Sequence, residues 1–352
     1  MSTTIRLLAA SYGDSILVSH SSGEGTFNLL IDGGPAKTFG IGSGRQRLGP
    51  LRIALDEIKG KGQCVNLVIL THIDSDHIQG LIRAFKAKGY LSDLAKQVWL
   101  NASSNISNYL NKPEIPENAI SLSACDSPET SISEGKTFEQ LLSDLDCWRR
   151  KIIVAGEVIT EGPFKFTILS PTDNNLKKLN CIWPYEHFSA NTAGGKNDHH
   201  QSISELLEND TFSKDRSPTN GSSIAFILEV GQKKILFLGD SYACTIVESL
   251  ENLGHTKENK LVVDYVKLSH HGSSRNTSVE MLDLIECRSY LISTDGTRHG
   301  HPHKRTLARI LDAHSENIIY FNYKDAFKGI LSTSEEMSYQ SRLRWLDREI
   351  QI

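Results

Sequence analysis

A chain of 352 residues, 39% hydrophobic and 23% charged, can bury a sizeable core, which excludes a disordered tail or a disulfide-dependent miniature scaffold. Its formal net charge of −4 excludes a global attraction for nucleic acid, so any polyanion would need a local basic patch. Six cysteines without a C-x-x-C pair argue for a reducing compartment.

The opening "MSTTIRLLAASYGDSILVSH" has no basic leader followed by an apolar stretch of signal length, and no later segment approaches a membrane span. A cytoplasmic location is expected. Two strands are expected at Ile5 to Ala9 and Ser15 to His20, with Gly13 and Asp14 at the turn between them. A third, "TFNLLIDGG", places Asp32 at a strand end before Gly33 and Gly34. A Gly-rich loop, "FGIGSGRQRLGP", leads into a helix whose Leu51, Ile53, Leu55 and Ile58 approximate one face, and that helix feeds the strand "CVNLVILTH".

After "LTHIDSDHIQG" come a helix in "IQGLIRAFKAKGY" and a strand in "QVWLN". Residues 101–217 read as an irregular insertion with a helix in "KTFEQLLSDLDCWRRKI" and a strand near Lys165 to Leu169. Within it, the polar run from Asn191 is expected to be mobile. The second half alternates strands and helices, which indicates an α/β layered fold, and residues 330–352 form a C-terminal extension ending in a helix or a last strand. The whole chain, 1–352, reads as one domain.

Four apolar runs end in residues with ligand chemistry: "NLVIL" before His72, Asp74, Asp76 and His77, "KILFLGD" at Asp240, "DYVKLSHHGS" at His270 and His271, and "SYLISTDGTRHGHPH" at His299, His301 and His303. Such strand ends gather into the crevice where α/β folds bind ligands. Alternate residues of an extended loop point to one side, so His72, Asp74 and Asp76 can face a common point. His77 can join Asp76 on a second ion, and the two oxygens of Asp240 can bridge a pair. Two cations about 3.5–4 Å apart activate water at neutral pH and stabilise both oxygens of a displacement. Three carboxylates against two dications leave a net charge of about +1, which favours an anionic substrate. Mixed oxygen and imidazole donors suit zinc or manganese.

"THIDSDH" resembles the H-x-[HD]-x-D-H signature of the metallo-β-lactamase superfamily, in the form with Asp at the third place. "SYGDSILV", "LLIDGG", "NGSSIAFILEVGQKKILFLGD", "VKLSHHGSS" and "RHGHPH" resemble, in that order, the metallo-hydrolase domain of the ComEC competence family and the related phosphorylcholine esterases. The resemblance runs from Ile5 to Leu311, apart from the insertion, and implies an αββα sandwich of two mixed sheets with outer helices and a two-metal site at one edge. It puts His72, Asp74, Asp76, His77, Asp240, His271 and His301 on metal-binding positions. Asp76 and His270 would carry the catalysis, His270 by protonating the leaving group or contacting a phosphate, with the roles of His270 and His271 interchangeable. Asn220 and Ser273 would contact substrate, and Asp32 would orient a ligand histidine. The membrane channel and DNA-binding module of that family are absent, so a free-standing hydrolase domain is implied rather than DNA uptake.

Each motif has a plainer reading. "THIDSDHIQG" alone is a strand-to-helix turn with Asp74 or Asp76 as N-cap, Asp240 an ordinary strand-end carboxylate, and "HGHPHKR" a solvated basic loop. His199 and His200 read as solvated. "WRRK" and "RLRWLDR" could track a phosphate backbone with Trp148 or Trp345 as stacking platforms, or simply be solvated. The expected activity is a phosphodiesterase or nuclease using two divalent cations on a phosphate-containing substrate, DNA included. Hydrolysis of a small phosphoester (nucleotide, cyclic nucleotide or phosphocholine-type) and a metal-stabilised, non-catalytic subunit are the alternatives. No membrane contact is expected; a partner protein or a homo-oligomer stays open.

Overall fold

The computed structural model describes residues 1–40, 48–111, 132–183, 197–347 and 349–352. Most of the Gly-rich loop, Arg348 of "RLRWLDR" and residues 112–131 and 184–196 of the expected insertion lie outside them. In chain order the strands are β1 (Ser2–Leu7), β2 (Ile16–Ser22), β3 (Gly25–Ile31), β4 (Leu67–Ile69), β5 (Val98–Trp99) and β6 (Trp148–Arg149). Then come β7 (Val158–Glu161), β8 (Phe164–Ser170), β9 (Ala225–Val230), β10 (Lys233–Phe237), β11 (Leu261–Val262) and β12 (Tyr265–Lys267). The last are β13 (Ile285–Glu286), β14 (Ser289–Ile292), β15 (Ile318–Phe321), β16 (Leu343–Trp345) and β17 (Ile350–Gln351).

They form a seven-stranded sheet, β17-β1-β2-β3-β4-β5-β6, and an eight-stranded sheet, β16-β15-β14-β12-β10-β9-β8-β7, with β11 and β13 paired apart. Both sheets are mixed. The first is antiparallel from β17 to β3 and parallel from β3 to β6; the second is antiparallel from β7 to β10 and parallel from β10 to β16. Parallel pairs need crossovers, and those crossovers supply helices such as Ser75–Lys86, Ala243–Asn252 and Lys304–Ala313.

The period-2 alternation of strand side chains sorts the apolar residues into three cores. Ile16, Val18, Leu29 and Ile31 from the first sheet meet Phe226, Leu228, Ile235 and Phe237 from the second in the middle core. Their neighbours Leu17 and Leu30 face the opposite side, where Leu55, Ile78 and Leu81 of the helices cover them. Ile227 and Leu236 face the other outer core with Ile246, Leu307 and Leu311. This is the expected arrangement of two mixed sheets with helices outside. Burial of each such side chain contributes roughly 1.5–3 kcal/mol.

Close backbone approach fixes the loop after β4. A Cβ at Gly80 would sit 1.9 Å from the Gly33 carbonyl oxygen, and one at Gly13 would sit 2.0 Å from that of Asp76. Glycine at these positions lets the helix Ser75–Lys86 seat against the ends of β1 and β3, with Gly33 N donating to the His77 carbonyl at 2.8 Å.

The expected insertion contributes β6 to one sheet and β7 and β8 to the other. Its described part at 197–217, in the stretch expected to be mobile, is tied down: Asp198 accepts from the backbone N–H groups of Lys304 and Arg305 at 2.6 and 2.9 Å, and the helix Ile203–Glu208 packs into the outer core through Ile203 and Leu206. Of the final residues, Leu343–Trp345 and Ile350–Gln351 form the edge strands β16 and β17, preceded by a helix Thr333–Tyr339. No helix among the described residues is long and apolar enough to cross a membrane.

Candidate metal centre

Five loops, those after β3, β4, β10, β12 and β14, bring Asp32, His72 to His77, Asp240, His270 with His271, and His301 to one edge of the sandwich. Asp240 stands at the middle. Its Oδ1 lies 3.5 Å from His77 Nε2, and its Oδ2 lies 3.7 Å from His72 Nε2 and 3.8 Å from His270 Nε2. Asp74 Oδ2 is 3.6 Å from His72 Nε2. On the other side, Asp76 Oδ2 is 3.2 Å from His271 Nε2 and 3.9 Å from His77 Nε2. Two sets of side chains thus converge closely enough to hold a cation, His72 with His77 and Asp240, and Asp76 with His77 and His271. Asp74 occupies the N-cap position of the helix Ser75–Lys86 but makes no side-chain cap bond, and its carboxylate faces His72 instead.

The imidazoles are held from behind. His77 Nδ1 donates to Asp32 Oδ2 at 2.8 Å, and the same carboxylate accepts from Thr71 N and Thr71 Oγ1, both at 2.8 Å. With its own proton given to Asp32, the Thr71 hydroxyl accepts from His72 Nδ1 at 3.0 Å. His271 Nδ1 donates to the Ser293 carbonyl at 2.9 Å. In each ring the Nδ1 proton is engaged, which turns the Nε2 lone pair toward the carboxylates. His72 Nε2, His77 Nε2 and Asp240 Oδ1 are buried without any hydrogen-bond partner. Orphans of this kind are costly unless something fills the space between them, and the donor set, imidazole nitrogens with carboxylate oxygens, fits divalent cations.

The protonation pattern follows from crowding opposite charges. Burial alone would raise Asp76, but His77 and His271 hold it down to about 2. Burial would lower His271, yet Asp14 and Asp240 bring it up to about 10, and Asp240 and Asp215 bring His270 up to about 9 against the same penalty. His77 is raised and Asp240 lowered for the same reason, their mutual attraction exceeding the cost of burial.

His270 and His271 both adopt left-handed backbone, φ 46° and 53°, a strained turn that sends successive rings to different sides of Asp240. His271 is closed in at 3% side-chain exposure, whereas His270 stays open at 24%. Asp32 is left-handed as well, at φ 58°. His301 meets His270 edge to face at 4.9 Å and His303 likewise at 4.8 Å; it belongs to neither cation-capable set, and burial beside positive His270 keeps it well below the usual histidine range. Asn220 is 1% exposed behind His270, its Nδ2 3.3 Å from His270 Nδ1. Ser273 is also 1% exposed and accepts from Arg275 N at 3.2 Å, so its hydroxyl closes the turn after the histidines.

Other histidines and the basic clusters fall outside the centre. His199 Nε2 meets the Pro302 carbonyl at 3.0 Å rather than open solvent, and His200 is exposed. Trp148 is 6% exposed in the outer core under the Arg150 guanidinium, so it offers no face for stacking a base. Trp345 is 42% exposed. Two supports escaped sequence reasoning. Lys267, 1% exposed in β12, donates to Asp14 Oδ2 at 2.6 Å, and Asp14 Oδ1 lies 3.5 Å from His271 Nδ1. The second support is the buried carboxylate of Asp215 behind His270.

No family model and no curated protein matches the chain. Among solved structures, it is similar to the metallo-beta-lactamase fold protein YhfI from Bacillus subtilis, at 12% identity and a TM-score of 0.40, covering 99% of each chain. It is also similar to Zn(2+)-bound PqqB from Methylobacterium extorquens, at 12% identity and a TM-score of 0.42 over 96% of this chain and 86% of that one. CmlA, a diiron beta-hydroxylase from Streptomyces venezuelae, is matched at 11% identity and a TM-score of 0.44; this chain spans 54% of its length.

Proposed function

We propose that the chain is a metal-dependent hydrolase of phosphoester bonds, most naturally a phosphodiesterase or nuclease. The observation that carries this reading is a pair of cation-capable sets, His72 with His77 and Asp240 and Asp76 with His77 and His271, that share His77, with the two oxygens of Asp240 turned to His77 and His72. A pair of divalent cations, zinc or manganese, would be held by His72, Asp74, Asp76, His77, Asp240 and His271, and would supply Lewis-acid activation of water and of the attacked group. The chain's own residues do the rest. Asp32, Thr71 and Ser293 fix the tautomers, and His270, the open histidine, stands where it can meet a leaving oxygen or a phosphate. Three carboxylates leave the loaded centre with a net charge of about +1. The Arg298 guanidinium lies 4.1 Å and Lys37 Nζ 5.7 Å from the centroid of the Tyr12 ring, and positive charge there would also favour an anion.

Cleavage of end-labelled single- and double-stranded DNA, and of a small chromogenic phosphodiester, tests the reading with manganese, zinc or chelator present. Metal-dependent cleavage should fall at least about 10³-fold in Asp240→Asn, some 4 kcal/mol of transition-state stabilisation. Turnover of the small diester with both DNA forms intact would move the substrate to a small phosphoester. Two bound cations without turnover of any of these would replace the hydrolase with a metal-stabilised subunit.

A further inference from the structure

Asp215 lies in the stretch that reads from sequence as a polar loop, yet it is only 7% exposed and its Oδ2 faces side chains around His270. Its Oδ1 accepts from Ser217 N at 2.9 Å. Its Oδ2 accepts from Asn220 Nδ2 at 2.8 Å and Asn276 Nδ2 at 2.9 Å, and lies 3.5 Å from His270 Nδ1. A carboxylate only accepts, so both amides must turn their nitrogens toward it, and this decides where their oxygens point.

For Asn276 the consequence is direct. Its Nδ2 also donates to the carbonyls of Asp240 and Ser241 at 3.1 and 3.2 Å, and its Oδ1 is left to accept from His270 Nδ1 at 3.2 Å. That bond turns His270 Nε2 toward Asp240 Oδ2. For Asn220 the consequence is an oxygen with nothing to hold. Asn220 Oδ1 is buried and has no hydrogen-bond partner, although the residue is 1% exposed. The short segment that carries it is bound to the centre: Ser223 Oγ accepts from Asp240 N at 3.1 Å, and Ile224 N donates to the Thr71 carbonyl at 3.0 Å. An unfilled buried carbonyl costs about 1–3 kcal/mol. A neutral amide oxygen is also an ordinary donor to a hard divalent cation or to water bound on one.

Building on the metal-centre reading above, we propose that Asp215 is a positioning residue of that centre. Through Asn220 it would present an amide oxygen as a further donor to the centre, and through Asn276 it aims His270 at the Asp240 carboxylate.

The test reads metal binding by the full chain, with zinc alone as the probe, by stoichiometry and by competition with a chromophoric chelator, and with cobalt(II) absorption as a report of coordination. The wild type should bind two cations. Asp215→Asn should keep one at full affinity and weaken the other by roughly 10–100-fold, with a changed cobalt spectrum. Asn220→Ala leaves Asp215 its other donors and should show the same selective loss, so the outcome does not hang on the folding of one variant. The paired exchange Asp215→Asn with Asn220→Asp re-forms the hydrogen bond in reverse and should restore the second cation, which a purely structural role does not predict. Unchanged affinity and spectrum in folded Asp215→Asn and Asn220→Ala, or failure of the exchange to restore, overturns the proposal and leaves the metal centre standing. A wild type that binds no cation overturns both.

Discussion

Two clusters of buried charge in the fold are built on opposite rules. Around Lys304 every charge is closed. Glu335 accepts from Lys304 Nζ, Ser332 N, Ser332 Oγ and Ile203 N at 2.6 to 2.7 Å. Arg309 donates to Asp210 and to the Ser274 and Thr277 carbonyls. Around Asp240 the candidate ligand atoms His72 Nε2, His77 Nε2 and Asp240 Oδ1 have no hydrogen-bond partner, while Asp32 and Thr71 behind them are engaged. A satisfied network stabilises the protein by itself; one left open on a single side, and only there, is arranged for something from outside. The difference separates a structural cluster from a functional one without reference to which residue types each contains.

The largest effect should come from opening the closed cluster. Lys304 is wholly buried, and Lys304→Met strands the Glu335 carboxylate in the interior, a loss of about 3–5 kcal/mol. Its three remaining donors place the expected value near the lower end. Urea unfolding checks this, together with Lys304→Met combined with Glu335→Leu, which should recover most of the stability because no charge is then left behind. A single substitution costing under about 1 kcal/mol would mean that the pair is not what holds the C-terminal helix to the fold.

Acid should open the same cluster from the other side. Burial opposes the ionised form of Glu335, but Lys304 and the N–H groups of Ser332 and Ile203 outweigh it and hold the carboxyl down at about 2, against 4.5 when unfolded. A depressed carboxyl stabilises the fold above its unfolded value, so the contribution, of order 3 kcal/mol, is whole above pH 4.5 and drains away as pH falls toward 2. Unfolding free energies measured across that window should fall more steeply for the wild type than for Glu335→Gln. Equal slopes would remove Glu335 from the account.

How much of this was legible in the sequence depended on distance along the chain. The candidate ligands were readable because they sit in short runs at the ends of apolar strands, and alternation alone aims His72, Asp74 and Asp76 together. Asp32 was readable as a strand-end carboxylate before two glycines. Their supports were not. Lys267 and Asp14 are 253 positions apart, and a lysine in a strand reads as a solvent-facing residue until a sheet is seen to close over it. Asp198, Asp210 and Asp215 lie in a polar stretch with the composition of a loose loop, because their partners, Lys304, Arg305, Arg309, Asn276 and His270, come from later loops and helices. Trp148 failed differently: beside three basic residues it read as a stacking platform, but as part of edge strand β6 it turns inward. Local pattern reports which residues share a face, and pairing across the fold decides what that face meets.

The smallest effect is the one that tests the open cluster on its own terms. Asp32 never faces the space between the ligands; it accepts from His77 Nδ1, Thr71 N and Thr71 Oγ1 and is 1% exposed. Asp32→Asn keeps its size but offers one acceptor where three donors converge, so His77 loses the bond that fixes its ring and tautomer. Zinc affinity should drop about 10–100-fold, equivalent to some 1.4–2.7 kcal/mol, as for other groups that hold a ligand histidine from behind. The signature is where the loss appears. At the Lys304 cluster a broken bond shows in urea with no metal present. Here it should show chiefly in competition with a chelator, and far less in the stability of the metal-free chain, because the free atoms of that cluster are satisfied only once a cation arrives. A folded Asp32→Asn with unaltered zinc affinity would mean that helix packing alone aims His77, and the division between closed and open clusters would lose its clearest mark.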